Sequence, residues 1–152
     1  MLAVFFSGIL GVILGYLLRE FIGHILAKDR NKQDRLKTIR NESAIKFKDA
    51  FIKEIDFLKS ADDPSHWIDD TAYGVLSKAL DKHRIAYESY RLHLSANEQG
   101  KFDKAWQTYL YPECSEEKSP GPLIDYAEGD ETKQREKAYL YISKLLEFAK
   151  PI

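Results

Sequence analysis

The chain has few side chains at the spacings that metal binding requires. No H-E-x-x-H motif, paired C-x-x-C motif or calcium-loop spacing is present. Its histidines are scattered: His24, His66, His83 and His93. A group of aspartates could gather around a cation, although turn and helix-cap roles explain them more simply: Asp62, Asp63, Asp69 and Asp70. We therefore predict neither a bound metal nor a cofactor.

Nucleophilic catalysis has no recognisable signature either. The chain lacks a G-x-S-x-G elbow and the glycine patterns of phosphate-binding loops. Its single cysteine, Cys114, lies among acidic residues, which disfavour a thiolate. His83 and Tyr87 lie one turn apart on an apolar helix face, where His83 is either a histidine at the edge of the core or a ligand or base. A triad assembled from distant residues stays possible, but we predict no enzymatic activity.

The N-terminal segment is the most distinctive feature of the chain. No residue from Leu2 to Leu18 is charged, and an apolar helix of that length approaches the thickness of a bilayer core. Arg19 follows at the edge, where its long side chain can reach the headgroups. We predict a transmembrane anchor over residues 1–22. The alternatives are a buried core helix and a cleaved signal peptide, although no A-x-A cleavage pattern follows the apolar run.

The distribution of charge predicts how this anchor is oriented. Residues 1–40 contain seven basic and three acidic side chains, and all seven cations follow the apolar run. The positive-inside rule then places the rest of the chain in the cytoplasm. A single cysteine fits such a reducing compartment. We expect a single-pass protein with a cytoplasmic C-terminal domain.

Two sets of residues near the anchor are candidate contact sites. Small residues spaced by four can let two membrane helices approach closely, although glycine is also common in membrane helices: Ser7, Gly11 and Gly15. The cations of a predicted helical stalk over residues 23–42 can bind anionic lipid headgroups, unless they only set the topology: Lys28, Arg30, Lys32, Arg35, Lys37 and Arg40. Residues 41–152 have a net charge of −5, so nucleic acid is not an expected partner.

The rest of the chain has the periodicity of amphipathic helices. An apolar stripe over residues 43–60 predicts the first helix of a domain. Ser95 and Glu98 have the spacing of a capping box, which predicts a later helix start. With a final helix over residues 131–149, the pattern predicts an all-α fold. Its soluble part is a small antiparallel bundle of four helices over residues 43–152.

Residues 111–130 interrupt this helical pattern. Prolines and glycines punctuate the segment, which predicts a loop, and most of its charged side chains are acidic. A connection of this length is typical of functional or mobile segments. We consider this acidic loop and the Tyr-rich helices as two possible contact surfaces for a protein partner.

Four stretches of residues 43–152 carry a resemblance to other proteins. They are a Phe-rich helix from Phe47 to Leu58, the sequence His83-Arg84-Ile85-Ala86, an F-x-x-A-W-x-x-Y stretch from Phe102 to Tyr109, and an ending from Leu145 to Ala149. In these stretches the chain resembles a group of short bacterial membrane-anchored helical proteins of unknown function. The resemblance implies a bacterial source and a helical fold, and it implies no activity.

The sequence thus favours a non-enzymatic interaction module anchored in the bacterial cytoplasmic membrane. Its expected partners are membrane lipids and either a protein partner or further copies of the chain. The alternative is a small membrane-active effector or a lipid-directed protein, which the basic stalk beside the bilayer would also fit.

Overall fold

A computed structural model describes residues 2–60, 71–113 and 121–151, with side chains from residue 19 onward. Every regular element in these ranges is helical. The α-helices are α1 (Leu2–Asp49), α2 (Ile52–Lys59), α3 (Ala72–Arg91), α4 (Ala96–Leu110) and α5 (Glu131–Leu146), and a short 3-10 helix lies at Ile124–Tyr126. The predicted all-α fold class is confirmed.

The chain divides into two compact units, Met1–Thr38 and Ile39–Ile152. The described part of the first unit is a single stretch of α1. The second unit contains the last turns of α1 together with the remaining helices. This second unit is the helical bundle, and it begins a few residues before the predicted boundary at residue 43.

The predicted membrane anchor finds no support among the described residues. Among the helices of the described residues, none is both long enough and apolar enough to cross a bilayer. The backbone of residues 2–18 is helical as part of α1, but their side chains lie outside the described residues.

Helix α3 runs in the opposite direction to the end of α1 and to α4. The last turns of α1 and α2 lie against α3 in reverse order, because Phe47 contacts Tyr90 while Phe51 contacts His83. The same reversal relates α3 to α4, where Tyr90 contacts Phe102 and His83 contacts Tyr109. These pairings give the antiparallel arrangement expected of a small bundle with short connections.

Aromatic rings fill the centre of the bundle. Phe102 is fully buried and contacts four other rings, with centroid distances of 5.0 to 5.6 Å. The four rings come from α1, α3 and the chain after α5: Phe47, Tyr87, Tyr90 and Phe148. Such offset and edge-to-face pairs stabilise a core beyond their burial alone.

The helix predicted over residues 43–60 is divided in two. Helix α1 ends at Asp49 and α2 begins at Ile52. In the turn between them, the N–H of Phe51 donates to the carbonyl of Lys48 at 2.9 Å, a three-residue bond instead of the four-residue bond of an α-helix. The apolar stripe continues at helical spacing through this turn, so the periodicity of the sequence could not indicate it.

Local hydrogen bonds define the helix starts. The Ser95 hydroxyl accepts from the N–H of Glu98, and the Glu98 carboxylate accepts from the N–H of Ser95, so the predicted capping box is confirmed. The side chains of Thr71 and Asp130 accept from the first N–H groups of α3 and α5, without the reciprocal bond of a capping box. Each such cap stabilises its helix by about 1 kcal/mol.

The described part of the predicted loop closes the C-terminal end of α4. The N–H of Leu123 donates to the carbonyl of Leu110 at 2.7 Å, and the Tyr126 hydroxyl donates to the carbonyl of Tyr109 at 3.0 Å. Both side chains are buried. These bonds satisfy carbonyls that a helix end leaves without a partner. Residues 121–130 therefore belong to the fold, while residues 114–120 of the predicted loop lie outside the described residues.

Helix α5 is fixed by a buried arginine. Arg135 is fully buried, donates to Glu131 at 2.9 Å and lies 4.1 Å from the ring centroid of Phe57. The same Glu131 carboxylate accepts from the N–H of Ala72 at 2.7 Å, which joins the starts of α3 and α5. No local sequence pattern indicates this role for Arg135.

Replacing Phe102 with alanine should destabilise the bundle strongly, because it removes the ring at the centre of the aromatic core. We expect the free energy of unfolding to fall by about 3–5 kcal/mol, measured by urea denaturation of the full-length protein. The matched control is Ile85→Ala on α3, where the isoleucine is 64% exposed and the change should stay within about 0.5 kcal/mol. Equal losses in the two variants would contradict the aromatic core described above.

Candidate functional site

The candidate contact surface begins in the part of α1 that follows the predicted anchor. Every residue from 19 to 39 is exposed. Four large apolar side chains lie close together here, 48–66% exposed, at spacings that place them on one side of the helix: Phe21, Ile22, Ile25 and Leu26. An exposed apolar cluster of this kind is typical of a surface that contacts lipid or protein.

The cations after this cluster form two rows along the helix. Lys28, Lys32 and Arg35 are spaced by four and three residues, so they share one face, while Arg30 and Lys37 share another. None of the five forms an ion pair with another residue in the described ranges. Like charges at such spacing weaken an isolated helix by a few tenths of a kcal/mol per pair. These cations are therefore available to a negatively charged partner.

Arg40 differs from the five preceding cations of the predicted headgroup set. Its guanidinium makes two hydrogen bonds to the Glu98 carboxylate, at 2.6 and 3.2 Å, and its side chain is only 17% exposed. Hydrogen bonds from Arg40 and Ser95 lower the pKa of Glu98 to about 2. The structure therefore places the charge of Arg40 in a contact between α1 and α4, within the bundle.

The remaining predicted site residues are placed only in part. Ser7, Gly11 and Gly15 lie in α1, and their side chains are outside the described residues. Cys114 and the aspartates at 62, 63, 69 and 70 also lie outside them. Within the described ranges, no group of histidine, cysteine and acidic residues could hold a metal ion.

A buried polar cluster lies at the turn between α1 and α2, and His83 is at its centre. Helix α3 places His83 on the face that it buries, next to Ala79 and Tyr90, and the side chain is 0% exposed. The imidazole ring stacks on Phe51, with centroids 3.9 Å apart and planes inclined by 14°. This face-to-face contact joins α3 to the turn that follows α1.

Two polar side chains from other helices reach the His83 ring. Nδ1 lies 2.9 Å from the Tyr109 hydroxyl of α4, and Nε2 lies 3.4 Å from Oε2 of Glu54 of α2. The latter contact is long, and Nε2 makes no closer hydrogen bond among the described residues. The Glu54 carboxylate also accepts from Lys82 at 2.8 and 3.0 Å. The cluster thus connects three helices through one imidazole.

The protonation states of this cluster follow from its surroundings. Burial tends to raise the pKa of Glu54, but hydrogen bonds from His83 and Lys82 outweigh it and lower that pKa to about 2. Burial lowers the pKa of His83, and the nearby Glu54 carboxylate offsets only part of this shift. Glu54 is therefore ionised and His83 neutral at pH 7. We assign the tautomer in which the Tyr109 hydroxyl donates to Nδ1 and Nε2–H faces Glu54.

A carboxylate, an imidazole and a hydroxyl in this order are also the groups of a catalytic triad. In this cluster the arrangement of Glu54, His83 and Tyr109 does not activate the hydroxyl as a nucleophile. Burial raises the pKa of Tyr109, which keeps the phenol protonated, and both Tyr109 and His83 are 0% exposed. A substrate has no access to either group in this conformation. The arrangement acts as a buried polar connection between helices.

A second polar cluster lies at the edge of the bundle, between α3 and α4. Arg91 makes two hydrogen bonds to the Asp103 carboxylate, at 2.7 and 2.8 Å, and the Tyr87 hydroxyl donates to the same carboxylate. The Tyr87 ring stacks on Trp106 at 4.5 Å. Tyr87 is one helical turn from His83, but its hydroxyl bonds to Asp103 of α4, which lies 16 residues away in sequence and meets α3 only through the fold.

An open cavity of about 340 Å³ lies beside the acidic segment after α4. Its lining includes three carboxylates, one of which, that of Glu113, pairs with Lys137. Gln134 donates to the backbone carbonyl of Glu128, and Asp125 accepts from the N–H of Glu113. These groups mainly hold the segment to α5.

Comparison of the chain with models of protein families, with curated proteins and with solved structures finds no match. The resemblance to short bacterial membrane-anchored proteins therefore stays a prediction, and no function is transferred from a relative.

The stability of the bundle should fall in acid because of Glu54. Its folded-state pKa of about 2 lies below the ordinary value of 4.5, so its stabilising contribution is present above pH 4.5 and is lost as the pH falls toward 2. We expect Glu54→Gln to reduce the slope of the urea-unfolding free energy between pH 5 and pH 3, leaving the part of the slope that Glu98 and Asp103 contribute through their own lowered pKa values. Glu136→Gln, an exposed acidic residue of α5, is the matched control. An unchanged slope in Glu54→Gln would refute this assignment.

Proposed function

We propose that this protein is a non-enzymatic interaction module of the bacterial cytoplasmic membrane, with one N-terminal membrane helix and its helical bundle in the cytoplasm. The bundle binds a protein partner or contributes to a homo-oligomer, and the basic part of α1 contacts lipid headgroups. The observation that carries this proposal is the exposed part of α1, where an apolar cluster is followed directly by cations that have no ionic partner among the described residues.

The membrane part of the proposal is supported by the continuity of the sequence pattern. Residues 2–18 are free of charge, and the exposed apolar residues Phe21, Ile22, Ile25 and Leu26 extend the same helix. A helix with no tertiary contacts is only marginally stable in water. Insertion of the apolar part into lipid would stabilise it.

Lipid headgroups are a better partner for these cations than the corresponding stalk of a second copy of the chain. Two chains anchored in the same direction would run parallel, so equivalent residues would face each other along the apolar seam that contains Ile22 and Ile25. That seam continues with Asp29 and Lys32, and each would then meet its own charge. Anionic lipids instead attract cations near the surface by about 1 kcal/mol each.

The native cysteine allows a direct test of the topology. In intact cells that express the full-length protein, a membrane-impermeant maleimide should fail to label Cys114 until the cells are lysed, because the positive-inside rule places the bundle in the cytoplasm. The protein should also stay in the membrane pellet after alkaline carbonate extraction. A Cys114→Ser variant controls for background labelling. Labelling in intact cells, or release by carbonate, would overturn the topology or the anchor respectively.

Neutralising the basic row of α1 should weaken the contact with anionic lipid. We expect the triple variant Lys28→Gln, Lys32→Gln, Arg35→Gln to lose at least tenfold in affinity for anionic vesicles, since three cations contribute about 3 kcal/mol at low salt. The measurement is how fluorescently labelled protein partitions, without detergent, between vesicles that contain anionic lipid and vesicles of neutral lipid alone. The control is Lys53→Gln, Lys101→Gln, Lys104→Gln, which removes three exposed cations of the bundle. Equal losses in both variants would mean that net charge matters and position does not.

Partner identity can be tested without a prior candidate. The full-length protein is crosslinked in intact cells, purified under denaturing conditions, and its adducts are identified by mass spectrometry. One dominant protein partner or a homomeric adduct supports an interaction module. Recovery of lipid adducts alone would favour the alternative of a lipid-directed effector.

A further inference from the structure

His83 has a role that the membrane proposal does not explain. It is a titratable side chain with 0% exposure, placed where α2, α3 and α4 meet. Burying a polar ring in a core is unfavourable unless its hydrogen bonds are made. Of the two ring nitrogens, Nδ1 has a hydrogen-bond partner in the Tyr109 hydroxyl, whereas Nε2 has only the long contact with Glu54. The bond in which Nδ1 accepts from Tyr109 requires the neutral ring.

A second proton on His83 would remove the acceptor that Tyr109 uses. In the neutral ring Nδ1 accepts from the Tyr109 hydroxyl at 2.9 Å. In the charged ring Nδ1 becomes a donor, so the Tyr109 hydroxyl has to turn its own proton elsewhere. Tyr109 is 0% exposed, and its hydroxyl has no second acceptor among the described residues. A buried hydroxyl that loses its acceptor destabilises the fold.

The charged groups around the ring oppose one another. Glu54 from α2 lies 3.4 Å from Nε2 and favours the charged ring, while Lys82 from α3 disfavours it. Tyr109 is the titratable group that faces the ring from α4, and the backbone of Ala50 favours the charged ring. Burial outweighs the carboxylate, so the pKa of His83 lies below its ordinary value.

The ring also holds the turn between α1 and α2. Phe51 stacks on His83 at 3.9 Å and is 0% exposed. Its own N–H makes a three-residue bond to Lys48, between the four-residue helical bonds of Ala50 and Ile55. The packing of Phe51 on the His83 ring therefore contributes to the position of this turn. A disturbance of the His83 ring acts directly on the place where α1 joins the core.

We propose that His83 is an acid-sensitive latch: a second proton on its ring breaks the hydrogen bond from Tyr109 and releases the Phe51 turn from α3 and α4. The latch is independent of the membrane proposal, because it depends only on contacts within the bundle. In a membrane-anchored module it would make the docking of α1 onto the bundle respond to cytoplasmic acidification.

The direction of the pH dependence follows from the lowered pKa. A histidine whose folded-state pKa is depressed stabilises the fold above its ordinary value of 6.5, and this contribution is lost as the pH falls below 6.5. That window lies above the range in which Glu54 titrates, so the two effects can be separated.

The test is thermal unfolding of the full-length protein in mild detergent, followed by near-ultraviolet circular dichroism between pH 8 and pH 5. We expect the wild-type midpoint to fall by about 4 °C or more below pH 6.5. His83→Gln keeps an acceptor and a donor but does not titrate, so its midpoint should be lower at pH 8 and nearly flat down to pH 5. The matched control His93→Gln removes an exposed histidine and should keep the wild-type slope.

A second measurement covers the case in which His83→Gln does not fold. In wild-type protein with ¹³C-labelled histidine, phenylalanine and tyrosine rings, the histidine ring signal that shifts in Tyr109→Phe identifies His83. It should titrate with a midpoint below 6.5, together with shifts of the Phe51 and Tyr109 ring signals. A midpoint at or above 6.5, a titration without changes in these rings, or a His83→Gln slope equal to the wild-type slope would each overturn the latch.

Discussion

The bundle depends on the burial of two phenylalanines at the end of α1. Phe47 and Phe51 are buried to 1% and 0% exposure, and each ring contacts both α3 and α4. Burial of one such side chain contributes about 2–3 kcal/mol, which is a large part of the marginal stability of a small domain. The other helices assemble around these rings, so the last turns of α1 are a structural part of the bundle and not a linker that precedes it.

The same burial explains why polar groups accompany the aromatic core. An apolar interior fills space, but packing without directional contacts specifies the relative positions of helices only weakly. The His83 ring combines a stacked contact to Phe51 with directional contacts to Glu54 and Tyr109, so a shift of any one helix breaks at least one of them. Arg135 acts in the same way at the opposite end of α3, through Glu131. Buried polar groups of this kind add little net stability, and their benefit is a single defined arrangement.

Sequence patterns predicted most of this fold, and the failures have common causes. The all-α class, the capping box at Ser95 and the start of α5 depend on local spacing, which the sequence displays directly. The turn at Phe51 was missed because the apolar spacing is the same on both sides of it. Arg135 and Asp103 were missed because their partners are distant in sequence, and Arg40 was grouped with the preceding cations because charge alone does not reveal a pairing with Glu98 58 residues away. The sequence places His83 at the edge of the core, with a ligand or base as the alternative, and does not indicate its two polar partners because they come from helices whose register no local pattern gives.

Helix α1 combines a buried end with a long exposed part. Its last turns bury apolar side chains from Ala44 onward, and Arg40 pairs with Glu98 of α4, whereas every residue from 19 to 39 is exposed. A helix of 48 residues is far longer than the average of about 12 in globular proteins, and without packing its exposed part has only weak intrinsic stability. An apolar solvent before residue 19 and anionic headgroups after it would supply the missing stabilisation, and the aromatic core supplies it at the other end. In the membrane-anchored arrangement proposed above, α1 would meet lipid, headgroups, water and protein in that order along its length.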